Sequence, residues 1–152
     1  MADKSFTTTF TIAQSPEQVF AAVTNPRAWW GAGITGETAR LGGEFTYRHG
    51  AIHRSKQQIT ELIPHQKVVW KITASELNFV SQKSEWNGTE VVFEIAKVGD
   101  KTELKVTHSG LVPQMECFEG CSAGWSFYIN SSLKHLIETG QGEPDAKEKA
   151  AA

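Results

Sequence analysis

The residues of this 152-residue sequence with the most obvious chemical potential are two cysteines four positions apart, Cys117 and Cys121. A zinc site needs about four ligands, usually as paired Cys or His clusters, and no second cluster is present because His108 and His135 stand singly. A redox pair has two intervening residues rather than three. At positions i and i+4 of a helix, both thiols share one face, which suits packing. We therefore predict no metal site, and we interpret Cys117 and Cys121 as the entry of a packed helix, with a cavity-lining thiol as the alternative.

Nucleophilic catalysis by a Ser-His-Asp triad is poorly supported. The sequence contains three aspartates, which fall in a terminus, a predicted turn and a tail: Asp3, Asp100 and Asp145. A buried carboxylate to orient a histidine is therefore missing. Glu61 or Glu85 would be able to act as a base, but no motif marks either one. The glycines between positions 31 and 36 do not match a dinucleotide fingerprint. We assign no catalytic residue and no cofactor.

Alternation of apolar and polar residues predicts strands along most of the chain. The predicted strands cover 6–13, 44–50, 53–63, 67–74, 87–97 and 102–109, with a seventh short strand near 34–39. The segment HRSKQQITELI at 53–63 is polar, and we interpret it as a strand with much solvated surface. Turn residues separate the runs, and short connections between successive strands imply antiparallel pairing. The sequence therefore predicts an antiparallel sheet.

Helices are predicted before and after this run of strands. Ser15 is a good N-cap and Pro16 a good first helical residue, so a helix is expected over 15–24. A short second helix at about 26–30 carries Trp29 and Trp30. A long amphipathic helix over 120–139 ends near Gly140. Only this last helix is long enough to cover the sheet, so the fold class is α+β, a curved sheet of six or seven strands gripping a C-terminal helix.

Composition excludes several classes of protein. The formal net charge of −2 and the sequence pI of about 6.2 argue against nucleic-acid binding. No run of 18 or more apolar residues predicts a membrane span, and the N-terminus has no apolar signal-peptide core. Two cysteines are typical of reduced thiols in the cytoplasm. We expect one cytoplasmic domain over 1–144 and a flexible tail over 145–152.

Three stretches carry a resemblance to a known family. They read SPEQVFAAVTNPRAWW, EWNGTEVVFEI and THSGLVPQMECFEGCSAGWSFYINSSLKHLIETGQGEP. The chain resembles, over about residues 5 to 144, the START-like helix-grip superfamily (SRPBCC), which includes the major birch pollen allergen and the polyketide cyclases. The closer resemblance is to the branch named after the heat-shock-protein-90 ATPase activator. The last stretch is the most specific, because its Cys, Cys, Gly-Trp, Ser-Leu and Gly-x-Gly-x-Pro elements match in register.

The resemblance implies a helix-grip fold with a deep cavity between helix and sheet. In the superfamily that cavity holds lipids, sterols, polyketides or plant hormones, and only some members catalyse a reaction. The eukaryotic activator carries a separate N-terminal domain that docks on the chaperone, and this chain has no room for such a domain. A chaperone partner is therefore a weak expectation, and a small apolar molecule is the expected partner.

Inward-facing positions of the predicted elements define a candidate cavity lining. The lining residues on the sheet are Tyr47, His49, Trp70, Phe93 and His108, and those on the helix are Cys121, Trp125, Tyr128 and Ser132. We predict that they surround a cavity of about 300–1,000 Å³. A buried histidine usually has a partner and a structural role, so contact with a ligand is the alternative for His49 and His108.

Two functions remain open from the sequence, with a third that is weaker. The first is a binding module that acts as carrier or sensor for a small apolar or amphipathic molecule. The second is a cyclase- or hydrolase-type enzyme that uses pocket His, Tyr or Glu side chains as acid or base. The third is an interaction module acting on a chaperone. The missing triad favours binding over catalysis.

Overall fold

A computed structural model describes residues 5–49, 53–77, 86–116 and 118–144 of the chain. Its seven strands, in chain order, are β1 (Phe6–Ile12), β2 (Thr35–Gly36), β3 (Glu44–His49), β4 (His53–Ile63), β5 (Lys67–Leu77), β6 (Glu90–Val98) and β7 (Lys101–Ser109). They form one sheet in the order β1-β7-β6-β5-β4-β3-β2, and every neighbouring pair is antiparallel. The predicted curved antiparallel sheet and the α+β helix-grip class are confirmed.

The boundaries of three strands differ from the predicted ones by more than one residue. Strand β5 continues past position 74 to Leu77, because its last residues still pair with β4. Strand β6 begins at Glu90 rather than 87, since a turn precedes it. Strand β2 keeps only two residues, where Gly36 has a φ of +112° and a Cβ atom would lie 2.3 Å from the carbonyl oxygen of Glu44. The predicted end of the second strand at residue 50 lies outside the described residues.

Strands β4 and β5 pair with two irregularities that bracket Gln57. Lys56 is opposite Ala74 whereas Gln57 is opposite Ile72, so one residue of β5 is left over. A second shift falls between Ile59 and Glu61. Such bulges bend a strand and turn its side chains. The pairing of β4 with β5 is therefore irregular in the middle of β4.

The first helix, α1 (Pro16–Val23), begins as predicted. The hydroxyl of Ser15 accepts from the backbone N–H of Gln18, and the Gln18 side chain accepts from the N–H of Ser15, which completes a capping box. A 3₁₀ turn (Pro26–Ala28) follows in place of the short second helix. Arg27 ties this turn to the chain before β2, because its Nε and Nη2 donate to the carbonyl oxygens of Ile34 and Gly36, each over 2.8 Å.

The C-terminal helix has three consecutive segments. They are α2 (Phe118–Phe127), a π-helical segment (Tyr128–Leu133) and α3 (Lys134–Thr139), and Gly140 ends the last one with a φ of 88°. The C-terminal helix thus covers the predicted range 120–139, but it is not the single regular α-helix that was predicted. Among the described residues, none of the helices has the length and apolarity that a membrane crossing requires.

Candidate functional site

Aromatic rings fill the space between the sheet and the C-terminal helix. The ring of Trp30 lies 4.0 Å from that of Tyr47 at 6° and 5.8 Å from that of Trp70 at 11°. Trp125 of α2 approaches Trp30 to 5.0 Å, and Trp86 stacks on Trp125 at 5.9 Å and 11°. These distances are typical of stacked aromatic pairs. The five rings form a continuous cluster, here called the aromatic cluster, and all of them are buried.

His108 lies near the end of β7 and is fixed through both ring nitrogens. The indole Nε1–H of Trp125 donates to Nδ1 over 2.9 Å. Because an indole only donates, Nδ1 carries no proton, and the proton of the neutral ring is on Nε2. Nε2 lies 2.8 Å from the hydroxyl of Thr89, which donates to the carbonyl oxygen of Trp86 over 2.6 Å. The imidazole N–H therefore donates to Thr89, and every polar atom of this chain of contacts has a partner.

The environment of His108 keeps its ring uncharged. Burial, with a smaller contribution from repulsion by His53, lowers the pKa of His108 from 6.5 to about 3. Protonation would also set a second donor against the indole N–H of Trp125, because Nδ1 would then carry a proton. A general base works best when its pKa is near the working pH, so this imidazole is poorly suited to acid–base chemistry.

A polar row runs along one face of β4, consisting of the half-buried His53 and the buried Ser55 and Gln57. Ser55 and Gln57 are 1% and 0% exposed. The amide Nε2 of Gln57 donates to the hydroxyl of Ser55, and Nε2 of His53 lies 3.1 Å from the same hydroxyl. The ring of His53 contacts Tyr47 and Trp86 edge-on, at 5.1 and 4.5 Å. The polar row therefore borders the aromatic cluster.

The solvated surface predicted for β4 is present on the face of Arg54 and Lys56, whereas Ser55 and Gln57 on the other face are buried. Both faces of the strand are polar, so polarity alone does not identify the inward one. The charged residues do identify it: Arg54 and Lys56 share one face and are exposed, which leaves the other face for the interior. The sequence prediction missed all three residues of the polar row, His53, Ser55 and Gln57, together with Trp30 and Trp86.

Three buried polar atoms of the polar row and the aromatic cluster have no hydrogen-bond partner in the described part of the chain. They are Oε1 of Gln57, Nε1 of Trp70 and Nε1 of Trp86. The ring of Trp70 lies 5.0 Å from that of Phe45, which is opposite Gln57 in the β3–β4 pair. Each unsatisfied buried group costs about 1–3 kcal/mol. Two donors and one acceptor are thus available to a molecule held in this region.

The structure brings most of the predicted lining residues together. Tyr47, Trp70, His108 and Trp125 belong to or contact the aromatic cluster, and Phe93 contacts Trp70 at 4.6 Å. On the helix, Cys121 and Tyr128 are buried in the same core. The side chain of His49 and all of Cys117 lie outside the described residues. The cavity itself stays a prediction, because segments 50–52 and 78–85 also lie outside them.

The hydroxyl of Ser132, a predicted lining residue, is hydrogen-bonded to backbone groups. It donates to the carbonyl oxygen of Trp29 over 2.7 Å and accepts from the backbone N–H of Glu143 over 2.7 Å. The residue is fully buried, and both hydrogen bonds are made to backbone. Ser132 therefore joins the C-terminal helix to two other segments of the chain.

A metal centre and a surface cleft are the alternatives to an interior site. Within the described ranges, no group of three or more His, Cys, Asp or Glu side chains could hold a metal ion. A shallow surface cleft of about 270 Å³ lies on the outer side of the C-terminal helix, lined by Asn130, Ser131, Lys134, His135, Glu138 and Glu143. The cleft is polar and open, whereas the aromatic cluster is enclosed and apolar.

Known proteins resemble this chain in sequence and in fold. The family model described as activator of Hsp90 ATPase homolog 1-like protein matches residues 13–138. The solution structure of the Aha1 dimer from Colwellia psychrerythraea has 26% sequence identity and a TM-score of 0.74, and the match covers 93% of this chain and 100% of that chain. No functionally curated protein matches the sequence.

Two crystal structures with lower identity show likeness of fold alone. The Mll3558 protein from Rhizobium loti has 22% identity and a TM-score of 0.65, covering 83% of this chain and 92% of that chain. DynU16, from the dynemicin biosynthetic locus, has 16% identity and a TM-score of 0.66, covering 93% of this chain and 49% of that chain. The helix-grip architecture is thus shared by proteins of diverse sequence.

Proposed function

The chain belongs to the family of activator of Hsp90 ATPase homolog 1-like proteins, and we propose that it binds a small, largely apolar molecule between its sheet and its C-terminal helix. Proteins of this fold commonly bind hydrophobic ligands. The protein acts in the cytoplasm as a carrier or sensor, in line with the composition of the sequence. The ligand contacts the aromatic cluster and the polar row of β4.

The observation that supports this proposal is the set of three unpaired polar atoms beside the aromatic cluster. A core that serves stability alone pairs its buried polar groups, because each unpaired one is costly. Small-molecule sites have the opposite composition, an apolar wall with a few polar groups left for the ligand. Oε1 of Gln57 and the indole nitrogens of Trp70 and Trp86 fit that description.

The same region favours binding over catalysis. His108 has partners on both ring nitrogens, and its pKa of about 3 makes it a weak base near neutral pH. No Asp, Glu, Lys or Arg is among the buried residues of the described chain. A hydrolase or cyclase would need a positioned acid or base, and in the described interior none of these charged residues is buried to serve as one.

Uptake of the neutral dye Nile red tests the proposal. We expect saturable binding with one dye per chain, seen as dye fluorescence in an apolar environment. The Cys121→Leu variant should weaken uptake, because Cys121 lies one helical turn before Trp125 on the same buried face. Ala123→Leu places the same side chain at an exposed position of α2 and is the matched control.

Native mass spectrometry of protein purified from its own host gives the second measurement. A co-purifying molecule of defined mass supports the proposal and identifies the chemical class of the ligand. The proposal fails if the wild-type protein shows neither saturable dye uptake nor a bound molecule.

A further inference from the structure

The polar row of β4 points to the chemical class of the ligand. Building on the proposed function, we infer that His53, Ser55 and Gln57 select an uncharged aromatic compound that carries a hydroxyl group, and that the site rejects anions such as fatty acids. The inference depends on the hydrogen-bonding capacity of the row, on the absence of buried Asp, Glu, Lys and Arg side chains among the residues that the structure describes, and on the shape of the surrounding rings.

The hydrogen-bonding capacity favours a hydroxyl group. The Ser55 hydroxyl already contacts Gln57 and His53, so the amide oxygen of Gln57 is the free acceptor of the row. Two free donors, the indole N–H groups of Trp70 and Trp86, lie among the neighbouring rings. A hydroxyl group accepts from N–H donors and donates its own proton, so its chemistry complements both kinds of free group in this region. A hydrocarbon would leave all three unsatisfied.

The charges of the described interior disfavour an anion. Every Arg and Lys on β3, β4 and β5 is exposed or partly exposed, and none is buried. A carboxylate moved into such surroundings loses its hydration and gains no cation in return, which is strongly unfavourable.

The rings favour a flat molecule. The ring plane of Trp30 lies 6° from that of Tyr47 and 11° from that of Trp70. The rings of Trp86 and Trp125 form a second nearly parallel pair, at 11°. Stacked aromatic side chains present flat faces, on which an aromatic ring stacks with better contact than a flexible alkyl chain. The row meets these rings at His53, which contacts Tyr47 and Trp86 edge-on, and the bulge beside Gln57 bends the strand within the row.

Binding of 2-naphthol and 2-naphthoate, measured by calorimetry at about pH 8, tests the selection against charge. The two compounds share a ring system and differ in the charge of their substituent. We expect 2-naphthol to bind at least about tenfold more tightly. Equal or tighter binding of 2-naphthoate overturns the inference, while uptake of Nile red in the same preparation leaves the proposed function intact.

The role of Gln57 is tested with 2-methoxynaphthalene, which accepts a hydrogen bond but does not donate one. Wild-type protein should prefer 2-naphthol over this ether by about fivefold, as one net hydrogen bond predicts. Gln57→Leu should bring the ratio close to one. Gln58→Leu makes the same change on the opposite face of β4 and should keep the wild-type ratio.

The outcomes separate the two proposals. If Gln57→Leu retains the preference for 2-naphthol, the polar row does not select the ligand, and the inference is wrong. If Gln57→Leu fails to fold, Gln57→Met replaces it, and the comparison of 2-naphthol with 2-naphthoate on wild-type protein remains decisive for charge. Absence of both Nile red and 2-naphthol binding overturns the inference together with the proposed function.

Discussion

The imidazole of His108 shows how a polar side chain can be both buried and fully satisfied. Trp125 donates to one ring nitrogen, Thr89 accepts from the other, and Gly110 leaves room for this contact. A Cβ atom on Gly110, where φ is +100°, would lie 2.7 Å from the Cγ2 of Thr89. These residues come from β7, α2 and the segment before β6, so the hydrogen bonds join the sheet to the helix through one ring.

The lowered pKa of His108 predicts a loss of stability in acid. The unfolded chain binds a proton on this ring near pH 6.5, whereas the folded chain does so only near 3. Between these values the unfolded state holds more protons, so the free energy of unfolding falls as the pH falls, by on the order of 3–5 kcal/mol in total. His108→Gln should flatten this dependence between about pH 4.5 and 7, as measured by urea unfolding. The control variant His135→Gln, at an exposed position, should leave the pH dependence of the free energy of unfolding unchanged. A wild-type profile that is flat over this range contradicts the prediction.

At the residue scale, the sequence predicted some of the buried positions and missed others. The inward positions of β3, β5 and β7 were predicted because alternation of apolar and polar residues sets them apart. On β4 both faces are polar, so alternation of apolar and polar residues does not mark Ser55 and Gln57 as buried, and the indication comes from the charged Arg54 and Lys56 on the opposite face. Trp30 follows a 3₁₀ turn rather than lying in a periodic helix, so its position in the aromatic cluster had no periodic signal.

At the level of elements, the π-helical segment is the feature of the C-terminal helix that its sequence did not predict. A helical wheel assumes 3.6 residues per turn, and a π segment breaks that register. The segment Tyr128–Leu133 nevertheless keeps four of its residues buried. It includes Ser132, which joins the helix to the carbonyl group of Trp29 and to the N–H of Glu143.

Ser132→Ala should therefore destabilise the protein by about 2–4 kcal/mol, because a buried carbonyl group and a partly buried N–H group lose their partner. Ser131→Ala makes the same change at the adjacent, exposed position and should alter the free energy of unfolding by less than about 0.5 kcal/mol. Urea unfolding of both variants makes the comparison. Equal stability of the two variants would mean that Ser132 does not join these segments.

At the level of the whole molecule, turn residues and strand spacing were enough to predict the order of the elements. Gly99 and Gly140 mark the β6–β7 turn and the end of α3, where both have positive φ. The C-terminal contacts were not predictable, since they depend on a close approach between distant segments. A Cβ atom on Gly142 would lie 2.2 Å from the carbonyl oxygen of Ala28, so only glycine fits there without movement.

These contacts predict where the folded domain ends. Gly142 packs on the backbone at Ala28 and Trp29, and Glu143 donates to Ser132, so the chain is held to the domain through Glu143.

The sequence DAKEKAAA at 145–152 has no apolar stripe. A chain that ends at residue 144 should thus melt at the temperature of the full chain. A chain that ends at residue 141 loses the hydrogen bond from Glu143 and the packing of Gly142, and it should be about 1–3 kcal/mol less stable. Thermal unfolding of the two truncated chains, followed by circular dichroism, tests both expectations. A marked fall in melting temperature for the longer one would place part of 145–152 inside the domain.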